Sequence, residues 1–141
     1  NNNAHINGFD NRKMMLNYAF TGVFGENDFQ ERNDLNFKGK NACTIWVLLT
    51  AGQIDNVQGL DKIKADSDVI FVLERFRKGD TVKEEWLGTE RQVFARIYVV
   101  ADTIGEINDK IKMVKTTLKV LDVNGDNMIL QWLEPFVEND Y

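Results

Sequence analysis

From residue 44 onward the apolar positions fall into short, dense runs separated by glycine, aspartate and asparagine, the texture of strands joined by tight turns. Thr44 to Thr50, dense in β-branched and aromatic residues, predicts a strand. Ala51-Gly52 turns the chain into a second strand, Gln53 to Gln58, whose apolar residues Ile54 and Val57 break strict alternation, so a bulge is expected there. Gly59 ends that strand, and Leu60 to Ala65 predicts one or two helical turns with Leu60 and Ile63 on one side. Val69 to Phe76 reads as a third strand, closed by a Lys78-Gly79-Asp80 turn. Gln92 to Ala101 is the strongest strand, and its unbroken run Ile97-Tyr98-Val99-Val100 requires burial on both faces, hence a central place in the sheet.

The period then changes. Thr103 and Glu106 have capping-box spacing, and Ile104, Ile107, Ile111, Val114 and Leu118 follow at intervals of three and four, a helical stripe able to cover a sheet. Val120 to Val123 and Asn127 to Leu130 predict a last hairpin around Asn124-Gly125, with Trp132, Leu133 and Phe136 as a terminal anchor. Turns this short leave no room for repeated crossovers. The expected fold is therefore α+β, a mostly antiparallel sheet covered by helices on one face, rather than a doubly wound parallel sheet.

Residues 1–42 have a different texture: asparagine recurs, glycines punctuate, and only Arg12 to Phe20 predicts a short helix, capped by Asp10 or Asn11 and showing Met14, Met15, Tyr18 and Ala19 as partial apolar faces. Residues 22–41 read as loop with Phe24, Phe29 and Phe37 as aromatic anchors. The organisation expected is a lead-in over 1–42, packed on a missing or neighbouring lobe, and one domain over 43–141. The first residue is Asn1 rather than methionine, so an upstream segment is expected.

Composition narrows the function classes. A chain of 141 residues with 43% hydrophobic and 28% charged residues suits one core. A formal charge of −5 disfavours a nucleic-acid partner, and Lys110, Lys112, Lys115 and Lys119, interleaved with acidic residues, read as a solvated helix face. No run is long enough to span a membrane and no signal peptide opens the chain. A single cysteine, Cys43, beside an apolar run reads as a buried inert thiol, and this usage suits a reducing cytoplasmic compartment.

Candidate chemistry is sparse. His5, the only histidine, lies in the asparagine-rich start and reads as an exposed bystander; Ser67, the only serine, reads as a turn hydroxyl. Asp122 to Asp126 resembles the start of a calcium loop, but Asn127 and Leu133 stand where glycine and glutamate are needed. Gly52, Gly59, Gly79 and Gly88 form no phosphate-cradling motif. The pairs Asp66-Asp68 and Glu84-Glu85 read as solvated charge, and Asp80 and Asp102 as turn and helix-approach residues. Trp46 is expected in the sheet, with Trp86 the better interface candidate. No catalytic or metal residue is assigned, and cofactor-binding residues remain undetermined.

The order of these motifs resembles a known family. Thr44-Ile45-Trp46-Val47, then Gly52 through Asp61, then Lys78-Gly79-Asp80-Thr81-Val82, then Arg96 through Thr103 with Glu106-Ile107, are similar in sequence and order to the C-terminal subdomain of ATP-grasp carboxylate ligases of the carbamoyl-phosphate synthase large subunit and biotin carboxylase group. The similarity covers about residues 43–123. It implies a parent that uses ATP and magnesium to activate a carboxylate as an acyl phosphate and passes it to an amine or other nucleophile. It also implies partners in upstream ATP-grasp lobes, in the same chain or a separate subunit. Homo-oligomerisation stays open, and no nucleic acid or membrane is involved. In that family the phosphate-contacting lysines and metal-binding acids lie upstream, ending in an E-x-N-x-R-like strand. Asn3 to Gly8 lacks the glutamate and has His5 where no arginine equivalent can be matched, so no catalytic residue is carried over. A non-catalytic small-molecule-binding or interaction module is the alternative.

Overall fold

The computed structural model describes residues 8, 10–25, 37–131 and 134–136. His5, Phe29, Trp132 and Leu133 lie outside the described residues. The architecture is α+β with antiparallel strand pairs throughout and helices packed on one face.

The lead-in carries helix α1 (Asn11–Thr21). Asp10 caps it, its carboxylate accepting from the Arg12 and Lys13 N–H groups at 3.0 and 3.3 Å, while Gly22 ends it in the left-handed region. No residue of α1 is buried. Phe24 stacks on Tyr18 with ring centroids 4.7 Å apart rather than anchoring into the core.

The body begins with β1 (Asn41–Leu49) and β2 (Gly52–Gln58), followed by the short helix α2 (Leu60–Lys64), β3 (Val69–Glu74), the two-residue β4 (Thr81–Val82) and two single 3₁₀ turns at Glu84–Trp86 and Glu90–Gln92. Then come β5 (Val93–Ala101), α3 (Ile104–Thr117), β6 (Lys119–Asp122) and β7 (Ile129–Gln131). One sheet has the order β3-β5-β1-β7, a second the order β4-β2-β6. The expected central strand is central: β5 lies between β3 and β1 and is buried along most of its length. The irregularity expected in β2 is present where its pairing with β6 shifts between Ile54 and Asn56.

The two sheets share one core. Alternate residues of β1, Cys43, Ile45, Val47 and Leu49, point inward with Ile97 and Val99 of β5. The stripe of α3 covers them with Ile107, Ile111 and Val114, and Leu118 is buried just beyond its end. Ile104 stands at the margin, half-buried. Thr103 accepts from the Glu106 N–H at 3.1 Å, and the Glu106 carboxylate accepts from the Asp102 and Thr103 N–H groups, both at 2.9 Å. Gly59 lets α2 approach α3: its φ is +81°, and an added Cβ would run into the Thr117 backbone.

The last hairpin differs from expectation. Its turn forms, with Asp122 accepting from the Asn124 and Asp126 N–H groups at 2.8 and 2.9 Å, but the two strands diverge. β6 pairs with β2 and β7 with β1, leaving one isolated bridge, Leu121 to Asn127, between them. The pair thus links the two sheets, because each arm finds a longer strand edge to complete.

Candidate functional site

Burial raises the pKa of the Cys43 thiol, as expected of a structural cysteine. Ser67 Oγ donates to the Asp68 carboxylate at 3.4 Å, and Asp80 accepts from the Arg77 N–H at 2.7 Å, fixing its turn. The Asp122 carboxylate is held below its ordinary range chiefly by the Asp126 N–H, so its oxygens serve the turn. Among the described residues no group of three or more His, Cys, Asp or Glu residues converges as metal ligands would. Nor is any helix among them long and apolar enough to cross a membrane.

The solvated-charge reading is corrected by packing. Asp66 and Asp68 are not simply solvated, and Lys110 is not a free face residue: Lys110 Nζ lies 2.8 Å from Asp66 and 2.9 Å from Asp68. Partial burial would push the Asp66 carboxyl up, but the Lys110 hydrogen bond and the Asp68 N–H outweigh it and leave it below its ordinary value. The Asp66 contact in turn raises Lys110. The cluster ties the loop before β3 to α3. Trp86, the better interface candidate of the tryptophans, is half-buried against the core, its ring 6.2 Å from that of Phe76.

Of the two described tryptophans, Trp46 is the exposed one. It belongs to the outer face of the four-stranded sheet, where strand register sets two rows: Leu73, Arg96 and Trp46, then Phe71, Tyr98 and Thr44. The Arg96 guanidinium sits 4.0 Å from the Trp46 ring centroid and donates to Glu90 at 2.9 Å. Phe71 is 51% exposed and Trp46 40%, an apolar, aromatic face with no covering element among the described residues.

The second feature is a cleft of about 340 Å³ between α2 and the end of β3. Lys62 and Lys64 line one wall, Arg77 and Lys78 the other, and Leu60, Phe76 and Phe94 form an apolar floor. Lys64 pairs with Glu74 at 2.6 Å and Lys78 with Asp55 at 3.4 Å, while Lys62 and Arg77 have no carboxylate partner among the described residues. The sequence hid this site because its cations are scattered over residues 62–78 and converge only when Gly59 and the Lys78-Gly79-Asp80 turn fold the two segments together.

No family model and no curated protein matches this sequence. Among solved structures, a phosphoribosylglycinamide synthetase from Anaerococcus prevotii aligns at 14% identity and a TM-score of 0.46, over 59% of this chain and 20% of that one. At that level the two backbones need not share a fold, and this chain spans about a fifth of the other's length.

Proposed function

We propose that this chain is the C-terminal domain of an ATP-dependent carboxylate–amine, or related, ligase, where it closes or supports the active site and is not catalytic alone. The observation that carries this reading is the order of elements and motifs. A strand pair, short helix, strand, Gly-Asp turn, long central strand and Asp-Thr-capped helix follow one another on the residues that resemble the ATP-grasp carboxylate ligases. In the parent reaction a carboxylate oxygen attacks the γ-phosphorus of ATP, releasing ADP and forming an acyl phosphate. The amine nitrogen then attacks the acyl carbon and inorganic phosphate leaves. The groups that would hold ATP and magnesium belong to upstream lobes, and the described residues present no set of acids that fits a magnesium site.

The part left to this chain is mechanical. The outer sheet face of Phe71, Leu73 and Trp46 offers an apolar surface on which an adjoining lobe can rest. The lead-in packs on such a lobe. The test is an acyl-phosphate trap on the full native polypeptide: ATP, magnesium, hydroxylamine and a panel of carboxylates, read as hydroxamate and ADP. The expected result is hydroxamate that requires both ATP and one carboxylate, and its loss when residues 43–141 are deleted from the soluble parent. A parent that forms no hydroxamate with any carboxylate, or whose yield is unaffected by the deletion, contradicts the proposal.

A further inference from the structure

We infer that the cleft between residues 59–64 and 76–78 binds a small phosphorylated molecule with an apolar body, a property that does not depend on the ligase reading. Both walls are fixed before any ligand arrives. On one side Gly59 seats α2 against the end of α3. On the other, the Gly79 N–H donates to the Ile54 carbonyl at 2.7 Å, the Ile54 N–H to the Asp80 carbonyl at 2.9 Å, and the Arg77 N–H to the Asp80 carboxylate at 2.7 Å. The segments that carry the cations therefore need little reorganisation to bind.

The charge balance selects an anion. In a chain of net charge −5, four cations and two carboxylates, Asp61 and Glu74, line this cleft. Glu74 is engaged by Lys64, and the Lys78–Asp55 pair is exposed on both sides, so a stronger anion can displace it. Neither the Lys62 nor the Arg77 side chain forms an ion pair with a carboxylate among the described residues, and the guanidinium offers a planar fork suited to phosphoryl oxygens. A dianion can engage both walls, whereas a carboxylate carries one charge. Half-buried Phe76 and the exposed edge of Leu60, backed by fully buried Phe94, give the ligand's body an apolar contact. A volume of about 340 Å³ is at the small end for ligand pockets and fits a single ring with one phosphoryl group.

The experiment is amide NMR titration of the whole 141-residue chain at constant ionic strength with phenyl phosphate, inorganic phosphate and benzoate. Phenyl phosphate is expected to saturate, with shifts confined to residues 56–64 and 76–79. Benzoate should bind the same residues at least about fivefold more weakly, and inorganic phosphate, lacking the ring, less tightly than phenyl phosphate. Arg77→Gln combined with Lys62→Gln should weaken phenyl phosphate about tenfold or more while the rest of the spectrum stays in place. If the double variant does not fold, Lys62→Gln alone, an exposed change, is expected to weaken binding about threefold. Shifts that do not saturate or that spread over all lysines, benzoate binding as tightly as phenyl phosphate, no gain from the ring, or unchanged affinity in the folded variants would overturn the inference. Because the probes are free anions and the readout is local, this test is separate from any failure of the ligase assay.

Discussion

Gly59 is the residue on which the approach of α2 to the end of α3 turns. Its positive φ excludes most side chains, and the Thr117 carbonyl carbon would lie 2.8 Å from any added Cβ, so backbone rather than a flexible tip must give way. Gly59→Ala is expected to cost about 2–4 kcal/mol in urea unfolding, with Gly79→Ala, whose Cβ position is open, costing about 1–2. Lys110 makes a second prediction. Lys110→Met leaves Asp66 and Asp68 facing each other without their cation and should cost about 1–2 kcal/mol near neutral pH. The sign with pH follows from the shifts. Asp66 is depressed below 3.8 in the folded state, so its contribution is present above that value and lost as pH falls through the lower folded one. Lys110 is raised above 10.5, so its contribution is present below that value and lost as pH rises through the higher folded one. The wild-type advantage over Lys110→Met, measured by urea midpoints across pH, should thus be flat between about pH 5 and 9 and shrink at both extremes. The sequence offered no way to see this cluster, since Lys110 is separated from Asp66 by 44 positions and only the approach of α3 to the loop before β3 brings them together.

At the scale of elements, helix α3 was legible because every local signal agreed: a capping box at its start, a stripe of period 3.6, and a strand immediately before it. Thr103→Ala should lower stability by about 1 kcal/mol in thermal or urea unfolding, and Thr103→Ser should recover most of it, since the hydroxyl alone serves the cap. β5 was equally legible, its unbroken apolar run demanding an interior position. The final hairpin was misread for a definable reason. Turn chemistry at Asn124-Gly125 specifies a reversal of direction, yet it does not specify that the two arms remain paired, and the free edges of β2 and β1 compete for them. Trp46 belongs to the sheet, as expected, and Trp86 packs half-buried against the core. Alternation along β1 puts Trp46 on the face opposite Ile45 and Val47, while the 3₁₀ turn of Trp86 folds back on Phe76.

At the scale of the whole molecule, the α+β body is a two-sheet unit with one filled face and one open, aromatic face, preceded by a helix that buries nothing within the described residues. A sheet face and a helix that nothing covers among the described residues both suit a domain that completes its packing against a neighbouring lobe. The ligase reading follows from motif order and was available from sequence; the cationic cleft was not, because its residues become neighbours only in three dimensions. The most direct test is the size of the native polypeptide that carries these residues, read in source-cell extract by denaturing separation and peptide mass spectrometry of each band. The account predicts that peptides from residues 43–141 appear in a species about three times the mass of this chain or larger, together with upstream peptides bearing a phosphate loop and an acidic metal-binding strand. Recovery of these peptides only in a species of 141 residues would contradict the single-polypeptide ligase account.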